Sequence, residues 1–422
     1  MRPDEGSGVG RDRVEGGPAR VSYLYDFTLP SRKAAAVQIL NTCHALAVAG
    51  TPTTVLAGEL HGDPAACLAT YGLKPDPRLA VRRFFSDWRW RLYPPWALAR
   101  LVAESDAGQP HVLLSRGESA VEVAGWLRRV RRRGTLFVYE AHRLCFAHAM
   151  EQSTGRRWDG SVPPPEPFRR TYEREKSAIE GADGVVCLSD GVREVLTELF
   201  DVACPVLVLP SGTKVPAASV RAAQSDTDLI YAGKLLTRKG VPLLLAAMRH
   251  LPGRTLLVLG GSPDEVAESR AFVKGQELES RVEFRGFVEP QKVQDYMVRA
   301  RVGVCPLPSG VSITSERFTS SLKLLEMMAS GTPVVATDLP SIRAVVTHGE
   351  TAWLVPPDDP AALAEGVRRL LDDGALADRL ATAARQRVMD FSWDERARKL
   401  QEFLEVLTQH RPLLGRIRDR HG

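Results

Sequence analysis

Lys234 and Lys239 lie in the segment YAGKLLTRKGVPLLLAA, directly after Gly233, where an apolar run ends and a helical pattern begins. Open α/β sheets bind ligands at that junction, because loops and helix N-termini present free N–H groups there. Two ammonium groups at such a place could cradle a diphosphate. Each contact at 4 Å contributes about 4 kcal/mol at an effective dielectric near 20, before desolvation is counted. The same stabilisation serves a diphosphate that gains charge as it leaves. Two solvated surface lysines are the bland alternative for this segment taken alone.

Further along comes TSSLKLLEMMASGTPVVATDLPSIRAVV. Thr319, Ser320 and Ser321 have the residue types of a helix N-cap region, so their hydroxyls and the following amides are expected to face a bound anion. Glu326 falls in the second turn, where a carboxylate can accept two hydrogen bonds from a ribose diol. In the first half, TLFVYEAHRLCF sets Glu140 and His142 immediately after a buried strand. His142 would then emerge into a cleft, with Glu140 orienting it, contacting an acceptor, or capping a helix.

The elements that must position these groups alternate as strand and helix. Candidate strands in the first half are Val21–Tyr25, Thr54–Leu56, His111–Leu114, Thr135–Tyr139, Gly184–Leu188 and Val206–Leu209. They are apolar throughout, as parallel strands covered on both faces must be. A helix over Ala34–Ala49 carries Val37, Leu40, Ala45 and Leu46 on one face, with Gly50 as its cap. Pro210-Ser211-Gly212 ends this series. A second follows: Leu229–Ala232, Thr255–Leu259, Val282–Phe284, Gly303–Leu307, Val334–Thr337 and Ala352–Val355, with helices at Val241–His250, Lys323–Ser330 and Pro360–Asp372. Two such series predict an α/β protein of two Rossmann-like domains facing across a cleft.

The predicted organisation is a polar, Gly-rich disordered leader over 1–20, a first Rossmann-like domain over 21–213, and an Ala/Ser-rich linker over 214–227. A second Rossmann-like domain over 228–389, a helix over 390–408 that crosses back to the first and a basic tail over 409–422 complete it. At 422 residues, the chain has room for two domains of roughly 200 residues with separate cores. A hydrophobic fraction of 44% and a charged fraction of 25% are those of an ordinary globular protein. Net charge is +5, and no basic run interleaves with aromatics as in a single-strand groove, which excludes nucleic acid as the expected partner. The leader lacks the apolar core of a signal peptide, and no apolar run reaches the roughly 18 residues of a membrane span, so a cytoplasmic protein is expected. The six cysteines form no CxxC pair and are expected to be free thiols.

The run Tyr231–Val355 resembles the donor domain of the family-4 retaining glycosyltransferases, which share the GT-B fold. The likeness rests on YAGKLLTRKG, RGFVEPQKVQDYMVRARVGVCPLP, SGTPVVATDLPSIRAVV and TAWLVPPDDPAALAEGVRRLL, and the closing FSWDERARKLQEFL fits it too. In that family the last helix crosses back onto the first domain. The resemblance implies that Lys234 and Lys239 bind the donor phosphates, Glu326 the ribose, and His142 the region between donor sugar and acceptor. It implies a second glutamate at position 318, where this chain has Phe318. Glu316 could replace it only through a rearranged loop. Ser321-Leu322-Lys323 instead resembles a subset with a Ser-Pro-Leu-Lys helix start, in which hydroxyls, amides and Lys323 take the place of the carboxylate; an ordinary solvated Lys323 is the alternative.

The family's glycine pair after the first strand is replaced by Leu29-Pro30-Ser31-Arg32-Lys33, so Arg32 or Lys33 would meet the diphosphate from across the cleft. Pro210-Ser211-Gly212 resembles a Pro-Asn-Gly hinge. Asp226-Thr227-Asp228 has the spacing of a metal-dependent sugar transferase but stands before a strand, and no metal or cofactor is expected. The segment 82–101, rich in arginine and aromatics, and the cluster Arg128–Arg133 fit either peripheral contact with an inner-membrane face or an acceptor-domain insertion. The implied activity is transfer of a sugar, with retention, from a nucleoside-diphosphate sugar to an acceptor hydroxyl, with a cell-wall polysaccharide, a lipid-linked oligosaccharide and a secondary metabolite all open as the acceptor. Two rivals stay open: a nucleotide-sugar epimerase or hydrolase on the same fold, and a non-catalytic nucleotide-sugar-binding relative.

Overall fold

The computed structural model describes residues 19–31, 33–83, 110–117, 135–216 and 225–409. The first sheet contains β1 (Arg20–Leu29), β2 (Thr53–Leu60), β3 (Leu79–Arg83), β4 (His111–Arg116), β5 (Thr135–Ala141), β6 (Gly184–Cys187) and β7 (Val206–Val208). Its order is β3-β2-β1-β4-β5-β6-β7, with parallel pairing throughout. The second contains β8 (Thr227–Ala232), β9 (Leu256–Leu259), β10 (Val282–Gly286), β11 (Ala300–Cys305), β12 (Val334–Thr337) and β13 (Trp353–Val355). Its order is β10-β9-β8-β11-β12-β13, also parallel. Strand order reverses at β1/β4 and at β8/β11, the crevices where open parallel sheets take ligands.

The sequence predicts twelve of these strands, with edges moved by a few residues. β3 escapes prediction because it is an edge strand in which only Val81 is fully buried. The helix expected over Val241–His250 ends at Met248, where the Arg281 guanidinium takes up the carbonyls of Met248 and Leu251 (2.7 Å to the latter). The helix expected from Lys323 begins one residue earlier, at Leu322.

Each domain has its own core, and two elements of the second half enter the first. The helix Trp393–Gln409 buries Ala397, Leu400, Leu404 and Leu407 in the cluster that holds Val21, Leu40, Leu46 and Val138 of the first domain. Its approach is close. A Cβ on Gly184 would lie 2.6 Å from Leu407, and one on Gly212 would overlap the Trp393 indole. The second intruder is the segment after β11. Its Ile313 and Phe318 join the core of Phe137, Tyr139, Phe146 and Trp158.

Polar contacts hold that segment in place. Glu151, on the helix Cys145–Thr154, accepts from Ser312 Oγ at 2.8 Å and from the Ile313 amide at 2.9 Å. Ser189 Oγ donates to the Arg317 carbonyl at 3.1 Å. Around Phe318 the chain winds as a π-turn over Thr314–Phe318, a departure from α geometry that recurs near functional sites.

Candidate active site

Three lysines of the second domain gather at the β8/β11 switch point. β8 delivers Tyr231, whose hydroxyl donates to the Lys234 carbonyl at 2.7 Å and so fixes the turn that follows the strand. Gly240 must be glycine. Its φ is +79°, and a Cβ would run into the Pro306 carbonyl after β11. That close approach seats the short turn Thr237–Lys239 against the neighbouring strand's exit. Lys239 is half-buried there, and burial first, then Lys323, Arg238 and Lys234, push its ammonium down to about 8.

Lys323 reaches the same place from the helix Leu322–Ser330. Its Nζ lies 4.1 Å from the centre of the Tyr231 ring and 3.1 Å from where a Gly233 Cβ would stand. That ammonium is buried and makes no hydrogen bond among the described residues. Lys234 is exposed, and neither it nor Lys239 or Lys323 has a carboxylate partner among the described residues. The buried Lys323 ammonium and the half-buried Lys239 thus lack an ion pair among the described residues, and unpaired buried charge is costly. Glu326 lies one turn beyond Lys323 on the same helix face. Burial raises its carboxyl to about 7, against the opposing pull of Lys323.

The hydroxyl run before this helix behaves differently from expectation. Ser321 is the N-cap residue but makes no side-chain capping bond, and its Oγ lies 3.8 Å from Cys305 Sγ. Ser320 Oγ accepts from the Ser211 amide at 3.1 Å, which ties the helix start to the Pro210-Ser211-Gly212 turn. Thr319 donates its amide to the Thr314 carbonyl, ending the π-turn. Of the three, only Ser321 retains the position of a cap. Nor does Glu316 move into the vacant glutamate position: its carboxylate pairs with Arg157 of the first domain at 3.4 Å and takes the Gly310 amide.

In the first domain, β5 carries Glu140 and leads directly to His142. Glu140 is buried. Its Oε1 accepts from His142 Nε2 at 2.9 Å and from Arg396 Nη2 at 2.6 Å, and its Oε2 accepts from the Tyr23 hydroxyl at 2.5 Å. Burial alone would raise this carboxyl, but His142, Arg396 and Arg116 together hold it well below the usual range. Glu140 is therefore a buried partner of His142 and caps no helix among the described residues. Arg116 Nη1 lies 3.2 Å from both His142 ring nitrogens and 3.2 Å from Gln38 Oε1, and Gln38 Nε2 lies 3.3 Å from His142 Nε2. Burial, then Arg116, pushes the imidazole down to about 4, so the ring is neutral at pH 7. An ionised Glu140 only accepts, so its 2.9 Å contact assigns the ring hydrogen to Nε2.

Tyr23, Gln38, Arg116 and Arg396 are missing from the sequence-based set. Arg396 alone left a signal: it shares a helix face with Ala397, Leu400 and Leu404, where a solvated arginine has no place. A further basic group faces the turn that bears Lys239. His148 is pushed down to about 4 by burial, Arg143 and Arg238. Arg32, residues 84–101 and residues 128–133 lie outside the described residues. The Asp226/Asp228 pair is structural: Asp228 accepts the Thr255 amide and pairs with Arg301 at 3.0 Å, while Asp226 pairs with Arg299.

Two facing, parallel-sheet α/β domains with a cationic switch point define the GT-B class of two-domain folds. Residues 35–215 match the family model described as Glycosyltransferase Family 4, and residues 226–373 match that described as Glycosyl transferases group 1. The two halves of the chain thus resemble two different glycosyltransferase models. A Mycobacterium tuberculosis glycogen synthase is 29% identical over 266 residues, covering 60% of this chain and 61% of that protein. A D-inositol 3-phosphate glycosyltransferase from Xylanimonas cellulosilytica is 30% identical over 269 residues, 59% of this chain and 62% of that protein. The chain thus spans about three fifths of the length of these relatives.

Among solved structures, a sucrose-phosphate synthase from Thermosynechococcus elongatus superposes with a TM-score of 0.70 at 23% identity, covering 93% of this chain and 99% of that one. Anabaena HepE in complex with UDP and glucose gives 0.67 at 16% identity, covering 92% and 99%. These two likenesses concern the fold. No helix among the described residues is long and apolar enough to cross a membrane.

Proposed function

We propose that this protein transfers a sugar from a nucleoside-diphosphate sugar to an acceptor hydroxyl, with retention of anomeric configuration. The carrying observation is the buried, unpartnered Lys323 Nζ beside Lys239 and Lys234 at the β8/β11 switch point. A diphosphate supplies the counter-charge these lysines lack. Glu326, on the same helix, accepts from the ribose hydroxyls, and His142 faces the reacting sugar from the other domain. Because the three lysines balance the leaving group, a metal ion is not required by this reading.

In the reaction the acceptor oxygen bonds to the anomeric carbon as the bond to the β-phosphate oxygen breaks. The acceptor proton passes to a phosphate oxygen on the same face. Two features support that same-face course. Glu140, the carboxylate beside His142, has both oxygens committed to three donors and is unavailable as a covalent nucleophile. The lysines, in turn, stabilise charge where it develops rather than in the ground state. A lipid-linked or polysaccharide acceptor is supported by the names of similar proteins, among them a phosphatidyl-myo-inositol mannosyltransferase from Mycobacterium leprae, 33% identical over 174 residues.

Thermal shifts with UDP-, GDP- and ADP-sugars identify the donor, since a bound ligand stabilises by mass action. With that donor, acceptor-dependent release of nucleoside diphosphate and a product of unchanged anomeric configuration are expected. Lys239→Ala must abolish transfer while leaving the circular dichroism spectrum intact. Full turnover in that variant overturns the assignment, and isomerised sugar without acceptor would show an epimerase instead.

A further inference from the structure

We infer that Arg396, on the helix Trp393–Gln409, is a positioning residue for the acceptor side of the site: it fixes Glu140, and through Glu140 the orientation and hydrogen placement of the His142 imidazole. The inference rests on the reading of His142 as facing the reacting sugar. Arg396 lies outside both matched family spans, which end at residues 215 and 373.

The geometry leaves Arg396 little freedom. It is 2% exposed, and its guanidinium donates to the Leu209 carbonyl at 2.6 Å, to the Pro210 carbonyl, and to Thr42 Oγ1 at 3.1 Å. Its remaining arm meets Glu140 Oε1, the oxygen that also takes His142 Nε2. Four separate elements therefore converge on one carboxylate: β1 through Tyr23, β5 through Glu140 itself, the loop bearing His142, and the helix that returns from the second domain. A buried ion pair of this kind contributes little net stability over a well-packed apolar pair, so its physical effect is geometric. The planar guanidinium fork supplies that geometry, and a lysine cannot reproduce it.

Charge counting fixes what its loss does. His142 is faced by Glu140 from β5, Arg116 from β4 and Gln38 from the helix Ala34–Val48, with Tyr23 and Arg396 acting through Glu140. With Arg396 present, two guanidiniums oppose one carboxylate and add to burial, the larger cause, in keeping the imidazole neutral. Without it, one guanidinium opposes one carboxylate, and a proton on His142 is no longer disfavoured by excess positive charge. The histidine should then titrate at higher pH and lose its single hydrogen placement.

The test is an NMR pH titration of the imidazole carbons and nitrogens of the free protein. His142 is assigned by the signal lost in His142→Gln, and wild type is compared with Arg396→Gln and Arg396→Lys. Wild-type His142 should stay neutral with one tautomer down to about pH 5. Arg396→Gln should raise the midpoint by about one pH unit or more, and Arg396→Lys should fall between the two. With an acceptor in hand, Arg396→Gln should lower kcat/KM for acceptor more than tenfold and move donor KM less than twofold.

An unchanged His142 midpoint and tautomer in Arg396→Gln overturns the inference, whatever happens to activity. If only Arg396→Lys folds, displaced His142 resonances support the inference and superimposable ones overturn it. Because the titration needs neither donor nor acceptor, its outcome is independent of the transfer reading; failure of every nucleotide to bind would sink that reading and leave this one to the spectra.

Discussion

Lys323 Nζ stands 4.1 Å from the centre of the Tyr231 ring, held over its face, buried and without a hydrogen-bond acceptor among the described residues. The ring's negative face moderates the charge but cannot replace a counter-ion. Lys323→Met should therefore leave the free protein as stable as wild type or slightly more so, since it removes an unpaired cation from among other cations. Nucleotide affinity should fall between about tenfold and a hundredfold, the range for losing one hydrogen bond to a charged group. Denaturant unfolding of the free protein reads the first, and calorimetric titration with the donor's nucleoside diphosphate reads the second. Wild-type affinity in Lys323→Met would return Lys323 to an ordinary helix residue.

Lys239 gives the site a pH dependence with a definite sign. Its ammonium is lowered to about 8 in the free protein, mainly by burial, whereas the unfolded chain titrates near 10.5. Between those values the unfolded state binds more protons, so this residue makes stability rise with pH over that window. A bound diphosphate draws the proton back, so nucleotide affinity should fall up to about tenfold per unit as pH rises above 8. Lys239→Arg, which does not titrate there, should flatten that fall. A steep decline retained in the arginine variant would assign the effect to another group.

Glu326 titrates in the opposite sense. Burial raises its carboxyl to about 7 from an ordinary value near 4.5. The folded protein then binds more protons across that interval, and this residue lowers stability as pH rises through it. A ribose diol donating two hydrogen bonds favours the ionised form. Binding of a nucleoside diphosphate should therefore release a proton near pH 6, visible as a buffer-dependent enthalpy. The preference for the ribo- over the 2′-deoxynucleotide should be about tenfold or more in wild type and vanish in Glu326→Gln. A preference undiminished by the substitution would place the ribose elsewhere.

The strands and the donor lysines were legible because they depend on local pattern. Buried parallel strands are apolar throughout, and Gly233, Lys234 and Lys239 sit at a strand-to-helix junction that any open sheet presents to ligand. What stayed hidden depends on partners distant in sequence. Ser320 has the residue type of a helix cap, yet its hydroxyl is engaged by Ser211 across the domain boundary. Glu140 was recognised, but its two distant donors were not: Tyr23 is one aromatic residue in an apolar strand, and Arg396 lies 256 residues away. β3 was lost for a local reason, since an edge strand ending in Arg82 and Arg83 lacks a continuous apolar run.

Phe318 separates a lost ligand contact from a gained structural one. By position it replaces a glutamate of the common family pattern, and a degraded donor site is the simplest inference from sequence. The side chain is instead fully buried in the first domain's core beside Phe137, Tyr139, Phe146 and Trp158, while Ser312, Ile313 and Arg317 are bonded to that same domain. Phe318→Ala should therefore cost about 3–5 kcal/mol in denaturant unfolding, the range for a large buried aromatic. Phe318→Glu should destabilise further by burying a carboxylate without a partner. Neither should tighten donor binding. If Phe318→Glu kept the wild-type melting temperature and bound the donor more tightly, the position would face the sugar after all, and the anchoring of this segment in the first domain would have to be abandoned.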